Sequence, residues 1–516
     1  MTNRNTRRSF LKSSLTAVVG TAAIGLVAPA CAQVVVAKPE KWDESTDVIV
    51  VGSGFAGLAA AIEASEAGAK VVVLEKMPTI GGNSIINGGD IVVIGGPHQK
   101  AANIKGDSED VLEADMLRNG LYLNDPERVK LVSHSTLSNF NWCKDVLGVQ
   151  YSDGVGLTGG HSFNRCVSTI NGSGSEYVNK EAAYLDKKFG VKPRTRVYVE
   201  NIIRDPATGR VVGLKVREGY RFPKEGSGKV KYIEAKRAVV LCHGGFGADV
   251  KYRSTLDPKL TATFQTTNQP GATAELWREA SRIGANIIQA DWIQCTPWNN
   301  PLEKGMGMGW IYSSDVCGES GLWVNTEGKR FVDETTNRKI ASDAILVEQG
   351  KGRHCIAIGT DDSWNVNSVL KRKPTYREEV LKRNLVKKYD SLEALAKDWN
   401  IPVDALKAEI SEYNGFVKAG KDAKFNRNFT PNSIELTRGP WYAAEMSPKI
   451  HHTMGGIKTT LDGAVLDIST DKPIPGLFAA GECCGGTHGA VRMGDNGTLD
   501  ALVTGRIAGK SAAKAS

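Results

Sequence analysis

The 516 residues are 41% hydrophobic and 24% charged, which excludes a disordered chain and a multi-span membrane protein. The length allows for about three domains' worth of core, and the size of nucleotide-binding domains favours two. The formal charge of +8 falls to about +4 without the leader-borne Arg4, Arg7, Arg8 and Lys12, a balance suited to small anions and too weak to indicate nucleic acid.

The N-terminal segment Thr6-Arg7-Arg8-Ser9-Phe10-Leu11-Lys12 precedes an apolar run from Leu15 to Ala28 and a small-x-small cleavage site at Ala30-Cys31-Ala32. Residues 1–32 therefore resemble a twin-arginine signal peptide, which implies export to the periplasm. The apolar run is too short to span a bilayer stably, so no membrane span is expected once the leader is removed.

From Asp47 the pattern is strand, tight turn, helix, strand, ending at Glu75. Gly52, Gly54 and Gly57, with Ala56 between the last two, give the GxGxxG spacing. The first glycine permits the turn, the second admits a pyrophosphate, and the third lets helix and strand pack closely. Glu75 closes the second strand about twenty residues on, where a carboxylate can take ribose hydroxyls. A second cluster, Gly81-Gly82-Asn83-Ser84 and Asn87-Gly88-Gly89-Asp90, keeps the backbone open to a flat ligand. A nicotinamide-binding domain does not need this second cluster and an FAD-binding one does, which points to non-covalent FAD.

Residues 108–148 carry apolar positions at three- and four-residue spacing and are expected to be helical. Val197–Ile203, which includes the cofactor contact Val199, and Val211–Val216 read as a hairpin about Pro206-Ala207-Thr208-Gly209. Ala238–Leu241 is a buried strand that rejoins the nucleotide sheet, and Asn268–Glu275 opens a helix with Glu275 at the cofactor. Charged helical segments are expected between about 363 and 420, including Leu381–Lys388. Strands resume at Ile457. Glu482 follows a strand-then-glycine pattern at the cofactor, and Asn496-Gly497-Thr498 starts the last helix, whose amides face negative charge on a reduced ring. The fold class is α/β, with a Rossmann-like FAD-binding domain (40–290 and 453–516) interrupted by an α+β capping domain (291–452).

Nine cysteines form no CxxC or CxxCH, so neither a metal site nor a haem is expected in this chain. The adjacent Cys483 and Cys484 read as packing residues.

These motifs, with Gly328-Lys329-Arg330-Phe331-Val332, His451-His452-Thr453-Met454-Gly455-Gly456 and Gly489-Ala490-Val491-Arg492, resemble the soluble fumarate reductase and flavocytochrome c flavoprotein family. The resemblance implies hydride transfer from flavin N5 to an activated C=C bond, with Arg338 as proton donor and His452 and Arg492 clamping a substrate carboxylate. The family pattern also breaks. Thr296 stands where a carboxylate-binding histidine is expected, Ser313-Ser314 stand for Thr-Glu, and Cys317 replaces an arginine. Asp90 and Asp315 add acids near the expected pocket, and Trp298 and Tyr312 are placed to line it. An enoate with one carboxylate and a polar or cationic far end, such as urocanate, then acrylate or methacrylate, is favoured over fumarate. With no haem motif, no covalent-FMN domain and no second dinucleotide fingerprint, electrons are expected from a separate c-type cytochrome. The rivals are fumarate reductase proper, a dehydrogenase or oxidase of ketosteroid dehydrogenase type, and a non-catalytic flavin electron carrier.

Overall fold

A computed structural model describes residues 36–516 apart from Ser368, so the leader expectation lies outside the described residues. The first sheet forms around the Glu44–Val51 strand. Val48, Ile49 and Val50 are fully buried, as expected of a continuous apolar run covered on both faces. This strand pairs in parallel with Val71–Leu74 on one side and with Lys229–Leu241 on the other. Pro473–Ala479 adds a further parallel strand, so the chain's C-terminal part closes the sheet that its N-terminal part opens. The hairpin Val197–Arg204 and Val211–Glu218 is present and joins the Lys229–Leu241 strand.

The Phe55–Glu66 helix lies against the Asn496–Ala512 helix. A Cβ at Gly505 would come within 2.4 Å of the Ala56 carbonyl, and one at Gly509 within 2.1 Å of that of Ala60, so the two backbones touch. This contact seats Asn496, Gly497 and Thr498 opposite the glycine turn.

The second sheet is built from residues 293–453 and is antiparallel, in the order Leu322–Asn325, Cys355–Thr360, Trp441–Thr453, Lys387–Tyr389. Alternation gives it two cores: Leu322, Val324, Ile356 and Ile358 pack on the Val403–Ala419 helix, while Trp323 and Ala357 pack with Trp364 and Tyr442. The strand Ile293–Asn299 pairs with the far end of Trp441–Thr453, carrying the second layer to the first. Below it, Arg330 and Arg427 are fully buried with Glu334 and Asp422 in one ion-pair network, which occupies the Gly328–Val332 motif.

Residues 108–148 are helical as expected, in the segments Glu109–Asn119, Pro126–Ser133, Thr136–Asn141 and Trp142–Val146, with a break at Leu121 and Tyr122, both with φ in the left-handed region. One expectation is corrected: the Leu381–Lys388 run is not a helix. The Tyr376–Lys382 helix stops before Asn384, whose φ is +59°, and Lys387–Tyr389 joins the sheet.

Candidate active site

A single cavity of about 1550 Å³ runs from the glycine turn to the Trp441–Thr453 strand. It exceeds the roughly 300–1,000 Å³ of ordinary small-ligand pockets, leaving room for a dinucleotide and a second molecule.

The turn end is shaped by contacts that exclude side chains. Gly52 has φ +107°, and a Cβ there would sit 2.2 Å from the Cys242 carbonyl. Gly57 does not reach the cavity; a Cβ there would meet the Gly52 carbonyl at 2.0 Å, so it supports the turn from beneath. Gly54, Ala56 and Glu75 line the wall. Glu75 accepts from the Ser53 hydroxyl at 2.6 Å and from the Met77 amide at 2.8 Å, holding the turn and keeping acceptor capacity for a ribose. The N-cap residue of the Phe55–Glu66 helix, Gly54, has no side chain to cap it, so the first-turn amides beyond Phe55 are open to an anion.

In the second cluster, Asn83 accepts from the Gln269 amide at 2.8 Å and donates to Asn268 at 2.6 Å, while Ser84 accepts from the Phe55 amide at 3.0 Å. Gly88 lines the cavity; Gly89 lies behind it, against Thr169 and Ser173. Val199 and Glu275 line the first end, with Glu275 paired to Lys76 at 3.3 Å. Gly497 and Thr498 line the other, where Asn87 donates to the Thr498 hydroxyl at 3.2 Å. The cradle and the open helix terminus fit FAD.

At the far end three segments meet. Arg338 is the first residue of the Arg338–Gly350 helix, whose cap Asn337 accepts from the Ile340 amide at 3.1 Å. Its guanidinium carbon lies 5.1 Å from the Trp298 ring centroid. Burial first, then the neighbouring Arg492, pull its pKa down to about 9, with Asp495 and Asp90 opposing. The positive end of its own helix acts in the same direction as burial.

Arg492 donates to the Met493 carbonyl at 3.1 Å, and its amide donates to Gln294 at 2.8 Å. Burial lowers its pKa as well. His452, near the end of the Trp441–Thr453 strand, has Nδ1 3.3 Å from Glu482 Oε1, and burial and Arg492 hold the ring neutral. Glu482 accepts from the Thr453 amide at 3.1 Å, and burial raises its pKa. Arg338 Nη1, Arg492 Nε and His452 Nε2 are all buried and have no hydrogen-bond partner among the described residues. Buried nitrogen atoms without partners, on side chains that line a cavity, are suited to an anionic ligand.

Of the residues expected at the pocket, Asp90, Trp298, Ser314 and Asp315 line the cavity, and Asp90 accepts from the Ser168 hydroxyl. Three do not. Thr296 is fully buried and turned to Asn299. Between the Thr296 and Asn299 pairings, Pro297 and Trp298 together oppose Pro448 on the partner strand, and this bulge breaks the alternation that would have put Thr296 beside Trp298. Tyr312 donates to the Tyr442 carbonyl at 2.8 Å and packs on Trp364, and Ser313 is buried beside it. Both are turned inward by the π-helical turn Tyr312–Val316, which leaves Ser314 and Asp315 at the wall.

Sequence reasoning missed Asp495, which lines the cavity near both arginines, and the pairing of Glu482 with His452. The available signal was an acid three residues after Arg492, which reads as a helix cap. Cys483 and Cys484 are free and buried, as packing residues should be. On the surface, Asp110, Glu113 and His134 come together as a small polar group of a kind common without any ion.

A family model described as an FAD binding domain matches residues 47–498. The acrylate reductase flavoprotein subunit of Shewanella woodyi is 38% identical over 98% of this chain and 97% of its own length. The urocanate reductase of Eggerthella lenta is 32% identical over 92% of this chain and 76% of its own. Among solved structures, the open conformation of a flavocytochrome c3 fumarate reductase superposes with a TM-score of 0.73 at 32% identity, covering 92% of this chain and 79% of the other. Among the described residues, no helix is long and apolar enough to cross a membrane.

Proposed function

The chain belongs to the fumarate reductase and flavocytochrome c flavoprotein family, FAD-dependent oxidoreductases that act on C=C bonds, and from that premise we propose that it reduces an α,β-unsaturated monocarboxylate. Urocanate-like and acrylate-like substrates are preferred to fumarate. The observation that carries this reading is the set of bare, buried nitrogen atoms on Arg338, Arg492 and His452, contributed by three separate segments to one end of the FAD-sized cavity.

Non-covalently bound FAD supplies the hydride. The protein's part is to hold the carboxylate and deliver a proton. Arg492 and His452 bind the carboxylate, and the fixed guanidinium favours the enolate-like charge that develops there. Glu482 orients the His452 ring through Nδ1. Arg338, its acidity raised by burial and by Arg492, gives the proton to the carbon opposite the hydride. The acids Asp90 and Asp315, which line the same cavity, disfavour a second carboxylate. Residues 291–452 act as the cap that excludes water from this step.

The reading extends to the cell. Export by the twin-arginine route places the enzyme in the periplasm as a respiratory terminal reductase, with electrons from a separate c-type cytochrome. The name of the Shewanella woodyi relative, a flavoprotein subunit, supports a division of labour of this kind.

An anaerobic assay with reduced viologen dye, offering acrylate, methacrylate, urocanate and fumarate, tests the reading. Dye oxidation with at least one monocarboxylic enoate, at a higher kcat/KM than with fumarate, is expected. Turnover of none of them, or of fumarate best, contradicts it.

A further inference from the structure

Asp495 occupies a position where its residue type needs explaining. It precedes the 17-residue Asn496–Ala512 helix, where an aspartate ordinarily caps the first turn. Here its φ is +62°, in the left-handed region that L-residues seldom adopt, and its side chain makes no capping bond. The helix is therefore not what holds an aspartate at this position. A strained backbone at a cavity wall is a pointer to function.

The carboxylate is held from the other side. The Thr158 hydroxyl donates to Asp495 Oδ2 at 3.4 Å, and His161 Nε2 bonds the Gly494 carbonyl at 2.9 Å. Gly494 has no room for a side chain, because a Cβ there would lie 2.3 Å from Thr158 Oγ1. The same loop reaches the second arginine: a Cβ on Gly159 would come within 3.2 Å of the Thr336 carbonyl, two residues before Arg338. Asp495 is thus fixed in the same cavity wall as Arg492 and Arg338.

Two buried guanidiniums with no acid between them would make a site for a dianion. From this arrangement, and resting on the enoate reductase reading above, we propose that Asp495 is a specificity-determining residue: its fixed negative charge sets the site to accept one substrate carboxylate and to penalise a second. A monoanion then leaves the group of Arg338, Arg492 and Asp495 near neutrality, whereas a dianion brings its second charge against Asp495. Asp90, which acts on Arg338, and Glu482, which acts on Arg492, line the same cavity and add to the penalty. The field of Asp495 also supports the protonated form of both arginines.

Two substitutions test this. Asp495→Asn removes the charge, keeps the size and tolerates the left-handed backbone; Asp495→Gly removes the side chain and the strain together. The oxidised FAD-loaded enzyme, which cannot turn over without a reductant, is titrated with acrylate and separately with fumarate, and binding is followed by the flavin absorbance change. In both variants the ratio of fumarate Kd to acrylate Kd should fall by about tenfold. A ratio that moves by less than about threefold in both, with FAD content unchanged, overturns the proposal. If the unsubstituted enzyme binds acrylate and the ratio stays fixed, only the role of Asp495 falls. If it binds neither compound, nor urocanate or methacrylate in the same titration, the enoate reading falls and this inference with it.

Discussion

At the scale of single residues, the proposed reaction depends on making an arginine acidic enough to act. A free guanidinium holds its proton far above neutrality and is a poor acid. Arg338 is moved by three effects with one sign: burial, the adjacent Arg492, and the positive end of the helix it begins. A pH dependence follows. In the proposed reaction the protonated form is the active one, so kcat should be level below the lowered pKa and decline as pH rises through about 9, a limb that a pH profile with saturating enoate would reveal. A profile level to pH 11 would remove the acid role. How such residues could be found in the sequence differs from one to the next. Arg338, His452 and Arg492 are visible because each sits in a motif of recognisable spacing. Thr296, Tyr312 and Ser313 were misplaced because their orientation depends on a bulge and a π-helical turn, neither of which leaves a periodic signature. Asp495 was passed over because its position in the chain is that of an ordinary helix cap, and only the backbone angle shows otherwise.

Helices and strands follow elementary rules with instructive exceptions. The continuous apolar runs at Glu44–Val51, Val71–Leu74 and the end of Lys229–Leu241 are buried parallel strands, and the return of Ala238–Leu241 to the nucleotide sheet was legible in the sequence. The Leu381–Lys388 run misled because charge at helical spacing says nothing about Asn384, whose left-handed backbone ends the pattern. A further exception lies in the Ser175–Phe189 helix. Its buried stripe reads Tyr177, Val178, Glu181, Leu185, and neither carboxylate oxygen of Glu181 has a hydrogen-bond partner among the described residues. Burial raises its pKa well above 4.5, so the folded state keeps a proton that the unfolded chain releases. Stability is therefore lost as pH rises above about 4.5 towards the folded-state value. Glu181→Gln should stabilise the protein by about 1–3 kcal/mol at pH 8, with a smaller gain at pH 5, measured by urea denaturation at both. Equal gains at the two values would show that Glu181 is not the titrating group.

On the scale of the whole molecule, two sheets from different parts of the chain meet along one cavity. The strand Trp441–Thr453 belongs to the second sheet for most of its length and delivers His452 to the first layer, where Glu482 meets it. The helix packing at Gly505 and Gly509 sets Gly497 and Thr498 opposite the glycine turn. An FAD-binding fold was legible from the glycine turn, the placed acid Glu75 and the second glycine cluster together, since close backbone approach leaves few choices of residue. The substrate end was less so, because its wall is assembled from residues around 90, 298, 315, 338, 452 and 492 whose meeting is a property of the fold.

The proposed reaction requires Arg338 as the proton donor in an enoate reduction. The most direct test is the anaerobic rate of acrylate reduction by reduced viologen, measured for the unsubstituted enzyme and for Arg338→Ala at equal FAD content. Turnover by the former and a loss of about 10²–10⁴-fold in kcat in the latter are expected, with FAD retained. A variant that reduces acrylate within tenfold of the unsubstituted rate would contradict the role of Arg338.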